Sequence, residues 1–441
     1  MILPARLACP LLVMALAALA AGQQRPGVLR FEPAHLSTGL AASRTTQLKV
    51  TFDQDMDPTR QAVGGGGASL PRILRTQWLD ARTFVLEVEL APDRLYSLDL
   101  AGSGADGLRA KTGSQLRPTP WRLASRGQPL PEGAAKLTAE RLFTAVRDHY
   151  SYRDRIGVDW NELEHRSLES LATATDGPSL ALWVTEVLTT AQDPHITVRW
   201  QECVVPTYRR PVVGNFDLAG LQTVLPRLER VGNSGLVGRT DDGIGYLLVA
   251  SFAREHRDDL DRALQALRGL RDCKALVLDV RTNTGGDEVL ARRLAGFFVQ
   301  GEVVYGKHRT RDPKEADGFR VVESRSLRGH DAPDVFGKPV AVLMGQLNMS
   351  SCEAFLLMMK QAPLAVLVGA DSYGSSGNPQ PHTLLPGLVV QLPSWQALRP
   401  DGSLIEGEGI SPHLYVDTTP AQLADGDPVL EAALSRLRRQ R

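Results

Sequence analysis

The stretch Asn348-Met349-Ser350-Ser351-Cys352-Glu353-Ala354-Phe355 decides the reading of this chain. Before it runs Pro339-Val340-Ala341-Val342-Leu343-Met344, a continuous apolar segment with the pattern of a buried strand. After it, Ala354 to Lys360 reads as a helix. A serine on a sharp strand-to-helix turn displays its hydroxyl beside free backbone N–H groups and the positive end of the helix dipole. Such a place suits a nucleophile whose attack creates an oxyanion. The same two serines also fit a plain helix cap. The surrounding sequence decides between the readings.

Ile244 to Phe252 is strand-like, and an amphipathic helix follows through Leu260, Leu264 and Leu267. Ala275 to Val280 is a second apolar run, followed by Arg281-Thr282-Asn283-Thr284-Gly285-Gly286-Asp287 and a helical stretch to Phe298. Four patterns then occur in order: Asp279-x-Arg281-x-Asn283-x-Gly285-Gly286, Ser350-x-x-Glu353, Val368-Gly369 with Gly374, and Asp401-Gly402 with Glu406 through Pro412. Linked motifs in the right setting are far more specific than any one alone. The series resembles the core of the S41 peptidases, the C-terminal-processing and tricorn-like serine proteases, over roughly Gly243 to Val416. The resemblance implies an α/β core of crotonase/ClpP-like strand–helix repeats. It also implies serine-type peptidase activity through an acyl-enzyme on Ser350, with a peptide or protein as substrate.

The identity of the base follows from what is missing. Tail-specific members use a lysine about 25 residues after the serine, where a desolvated amine accepts the proton. That position here is Ser375, and no lysine occurs after Lys360. Lys360 stands at the far end of the nucleophile's own helix, about 15 Å along at 1.5 Å per residue. The base is therefore expected to be a histidine. The helical pattern from Leu137 to Thr190 ends in Gln192-Asp193-Pro194-His195-Ile196-Thr197-Val198, and His195 matches the general base of the tricorn-like members. His382 and His413 lie near the expected site but off its catalytic positions. Glu406, with Glu408 in reserve, is the candidate that orients the imidazole. Tricorn-like enzymes place a relay serine just before the histidine; Pro194 stands there, so a direct contact of Glu406 with His195 is expected. Ser351, Gly285 and Gly286 are the candidate oxyanion donors, and Glu353 reads as a capping-box carboxylate worth about 1 kcal/mol.

The rest of the chain is organised around this core. Residues 1–22, with Arg6, an apolar run from Leu11 and a small-x-small end, read as a cleaved signal peptide, hence a periplasmic or secreted protein. That run is too short for a membrane span, so no integral span is expected in the mature chain. Residues 28–124 alternate apolar and polar in short strands and resemble a bacterial Ig-like domain, an all-β sandwich. It is expected to be dispensable for the fold of the rest. Residues 131–200 form the helical front of the peptidase, 201–242 a connector too short for a PDZ domain, 243–418 the catalytic core and 419–441 a C-terminal helix.

With 50 basic and 50 acidic residues among 441, no net field points to nucleic acid. Cys203, Cys273 and Cys352 lack the spacing of a disulfide framework or zinc site. Asp53, Asp55 and Asp57 lack the glycine and distal glutamate of a calcium loop. No metal and no cofactor is expected. The rival reading is a catalytically silent S41-like module binding peptides or apolar ligands, as in retinoid-binding proteins of the vertebrate eye.

Overall fold

The computed structural model describes residues 25–102, 107–331 and 334–439. The proposed signal peptide lies outside them. At the centre is a seven-stranded sheet in the order Leu228–Val231, Gly235–Arg239, Ile244–Leu248, Ala275–Asp279, Val340–Met344, Ala365–Gly369, Leu414–Tyr415. From Ile244–Leu248 onward every neighbour is parallel. Strands of such a sheet are covered on both faces, which is why three of them read as unbroken apolar runs. One face packs on the helices Arg257–Gly269, Glu288–Ala295 and Ser351–Lys360. The other packs on Leu218–Val224 and Pro428–Arg439.

The Asp279–Arg281 pattern secures that second face. Both residues are fully buried, and the Arg281 guanidinium bridges Asp279 and Asp427, each at 2.7 Å. Asp427 sits at the start of the last helix, and Tyr246 Oη donates to Asp279 at 2.8 Å. Breaking one member would leave an uncompensated charge in the core, a cost of about 3–5 kcal/mol. The motif thus braces the loop that follows it.

Residues 201–242 are more than a spacer. They contain the helix Leu218–Val224 and the antiparallel hairpin Leu228–Val231/Gly235–Arg239, which extends the central sheet at its edge.

Ahead of the core, three helices, Ala134–His149, Trp160–Ala172 and Gly177–Thr189, fill the expected helical stretch. Residues 28–125 form a four-stranded and a three-stranded sheet around Leu48, Phe52, Phe84, Leu98 and Trp121. This β unit is not a separate bead, contrary to the expectation from its sequence. Arg122, 2% exposed, reaches out of it to Glu186, Pro206 O and Thr207 O. Leu95 and Ala124 join the same core as the three helices. Alternating polar residues looked like a solvated sheet face, but one of them is the anchor of an internal interface.

Candidate active site

Three consecutive parallel strands deliver loops at their C-terminal ends: 280–287 after Asp279, 345–350 after Met344 and 370–378 after Gly369. Two buried asparagines bind the first two loops together. Asn348 Nδ2 donates to Asn283 O at 3.0 Å, while Asn283 Oδ1 accepts the Gly285 N–H at 2.9 Å. Ser351 Oγ donates to Gly286 O at 2.7 Å. A Cβ on Gly285 would fall 2.5 Å from Met349 O and 3.0 Å from Ser350 Cβ. Only glycine, here at φ +102°, lets the two loops approach so closely.

Ser350 itself has φ 58° and ψ −123°. A non-glycine residue held there stores roughly 1–3 kcal/mol of strain, tolerable only where its surroundings over-determine it. They do: its N–H donates to Ser375 O at 2.9 Å and to Glu353 Oε2 at 3.2 Å. Ser350 lines a cleft of about 440 Å³ with Gly286, Ser351 and Ser376.

Glu353 does more than close a capping box. Fully buried, it accepts from Ser350 N–H, Ser375 N–H at 3.0 Å, Gly374 N–H at 2.8 Å and the Ser372 hydroxyl. One carboxylate therefore fixes both the Ser350 turn and the turn carrying Ser375. Burial, opposed by these four donors, pushes it up to about 7.

His195 arrives from the other end of the chain. The strand after it, Thr197–Trp200, pairs antiparallel with Leu388–Pro393, whose hairpin partner Pro379–Leu385 begins just beyond Ser375. This sheet carries His195 across 180 residues of sequence to Ser375: Nδ1 lies 2.9 Å from Ser375 Oγ. Ser375 Oγ in turn donates to Glu406 Oε1 at 3.3 Å, and Ser376 N–H to Glu406 Oε2 at 2.9 Å. With that hydroxyl proton pointing to Glu406, Ser375 accepts the Nδ1 proton, which leaves the lone pair on Nε2. Nε2 is buried and has no partner.

Glu406 thus meets His195 through a hydroxyl, not by the direct contact expected from Pro194. The bridging serine stands at the position where a tail-specific protease would carry its lysine. Gly285, expected as an oxyanion donor, has its N–H engaged by Asn283. The reserve candidates lie elsewhere. Glu408 is exposed and paired with Arg399, His382 stacks on His149, and His413 Nδ1 accepts the Leu367 N–H.

Asp193 is a residue the sequence reading passed over. Fully buried, it accepts the His195 N–H at 2.9 Å and the Tyr150 hydroxyl at 2.9 Å. Its Oδ1 stands 3.9 Å from His195 Nδ1. Burial raises both Asp193 and Glu406 above the usual carboxylate range, Glu406 well above and further through repulsion from Asp193. Burial lowers His195, with Asp193 opposing. Its position in an Asp-x-His element was the available signal.

Comparisons with known proteins bear on the fold that carries this site. Residues 243–416 match the family model of Peptidase family S41. A carboxy-terminal-processing protease of Bartonella bacilliformis is 28% identical over 187 residues, covering 41% of this chain and 40% of its own. A CtpA-like serine protease of Staphylococcus aureus (strain bovine RF122 / ET3-1) is 24% identical over 177 residues, 40% of this chain and 34% of the relative. The chain therefore spans well under half the length of these relatives. A crystal structure from Parabacteroides merdae, of a protein provisionally named a peptidase, superposes with a TM-score of 0.58 at 22% identity. It covers 69% of this chain and 96% of that one and shares the fold.

Proposed function

We propose that this protein is an exported serine peptidase in which Ser350 is the nucleophile and His195 the general base. The observation that carries the reading is the buried chain His195–Ser375–Glu406, with Nε2 left without a partner and the Ser375 carbonyl bonded to the N–H of the strained Ser350. Ser350 Oγ attacks the scissile carbonyl while its proton passes to His195 Nε2. The imidazolium is stabilised through Ser375 by Glu406 and, across 3.9 Å, by Asp193. It then protonates the leaving amine, and water deacylates the enzyme by the same route. Gly286 and Ser351 N–H groups hold the oxyanion. The first residue of a helix has a backbone N–H without an intrahelical acceptor, and Gly286 permits close approach.

The substrate is a peptide or protein, and the site calls for no metal or cofactor. Export to a periplasm or the exterior is supported by the pattern of residues 1–22; among the described residues no helix is long and apolar enough to cross a membrane. The two facing sheets of residues 28–125 support an Ig-like reading of the front unit. The test is hydrolysis of a mixed peptide library. Wild type should cleave, Ser350→Ala should not, and His195→Ala should lose about 10³-fold or more. Near-wild-type cleavage by either variant would overturn the assignment.

A further inference from the structure

The cleft beside Ser350 has a buried arginine in its wall. Arg325, 6% exposed, lines it together with Trp395. Its guanidinium carbon lies 5.4 Å from the Tyr305 ring centre and 5.2 Å from that of Trp395, so two aromatic faces hold it in place. Among the described residues its ion-pair partner is Glu288, and that carboxylate also serves the Arg292 guanidinium at 3.1 Å and the Tyr305 hydroxyl. Two guanidinium groups thus share the Glu288 carboxylate, Arg292 from a partly solvated position and Arg325 from a buried one. Arg254 at the rim is neutralised by Asp287 at 2.8 Å, and Glu255 is exposed to solvent, where its field is screened.

Two donors on this wall lack an acceptor. Arg325 Nε and Trp395 Nε1 are both buried without an acceptor. Leaving such donors unpaired is expensive, and the vacancy is worst for a charged group. Trp395 is tied to the catalytic turn, because its N–H and that of Ser394 both donate to Gly377 O. Whatever sits on Trp395 is therefore in fixed register with Ser375 and Ser350.

We propose that Arg325, with Trp395, is a specificity determinant that receives a carboxylate of the bound peptide next to the scissile bond. The proposal rests on the peptidase reading of the same cleft. A carboxylate supplies the acceptors that both donors lack, and a hydrogen bond from a guanidinium to a carboxylate is charge-assisted and so stronger than one to a neutral acceptor. Two sources have this chemistry: an aspartate or glutamate side chain, or the free terminus of the substrate.

The experiment separates this idea from the catalytic reading by measuring binding, not turnover. The Ser350→Ala protein is titrated by NMR with acetyl-Ala-Glu-Ala-amide against its Gln counterpart, and with acetyl-Ala-Ala free acid against its amide. At least tenfold tighter binding of the Glu peptide assigns the site to acidic side chains. The same preference confined to the free acid assigns it to a chain terminus. In either case the added substitution Arg325→Gln should reduce the ratio to about one, while Arg325→Lys retains part of it. Equal affinities within both pairs, or a preference that survives Arg325→Gln in a folded protein, would overturn the proposal. Whether wild type then hydrolyses a bound peptide tests the catalytic reading separately.

Discussion

Removing the Ser375 hydroxyl tests the relay with a change of one atom. Ser375→Ala deletes the hydroxyl that joins His195 Nδ1 at 2.9 Å to Glu406 Oε1 at 3.3 Å. The fold should survive, because Ser375 is held through its backbone: its N–H donates to Glu353 and its carbonyl accepts from Ser350. A hydrogen bond to a charged partner contributes about 1.5–3 kcal/mol. Here that stabilisation is needed most when His195 becomes an imidazolium, so it appears in the barrier. At 1.4 kcal/mol per decade the loss is roughly 10- to 150-fold in kcat/KM. Loss of control over the imidazole tautomer adds to this, so the figure is a lower bound. The assay is kcat/KM on a quenched peptide, with urea unfolding as the control for structure. Ser375→Thr retains a hydroxyl and should recover most of the activity where alanine does not. A Ser375→Ala enzyme within twofold of wild type would refute the relay and return the orienting role to Asp193.

Three further outcomes are expected. Activity should fall as pH drops, because protonating Glu406, raised well above the ordinary range by burial, removes the acceptor for Ser375; Glu406→Gln should lower kcat/KM by about 10²- to 10⁴-fold at every pH and remove that contribution from the pH profile. Glu353, held up at about 7 by burial, favours the folded state while protonated. That stability is present in full below the ordinary carboxylate value and is lost as pH rises through about 7, so urea midpoints of wild type should decline over this window and those of Glu353→Gln should decline less. Deleting residues 25–124 should yield insoluble or non-cooperatively unfolding protein, since it strips Arg122 from Glu186 and opens the core shared with Leu95; a soluble, cooperative product would show the β unit to be separable.

The α/β core was legible because its strands are buried on both faces and its helices amphipathic, patterns that survive in one dimension. Ser350, His195 and Glu406 could be named because each stands in a motif. Ser375 could not. It was noticed only as the place where a lysine is absent, and nothing local marks a serine that acts through partners 180 and 31 residues away. Glu353 was read from its spacing to Ser350 as a helix cap, although three of its four donors lie on other turns or depend on how those turns pack. Gly285 and Gly286 look equivalent in sequence; only the Asn283 side chain distinguishes them. The docking of the front unit was hidden for a related reason. Arg122 alternates with apolar neighbours like any solvent-facing residue, and its partners come from a later helix and strand.

The most direct test of the central claim is covalent labelling by a fluorophosphonate, which reacts with an activated serine hydroxyl and needs no knowledge of the natural substrate. Peptide mapping should place a single adduct on Ser350, absent from Ser350→Ala and slowed at least a hundredfold in His195→Ala. Native protein that stays unlabelled, or an adduct that persists at full rate without His195, would contradict it.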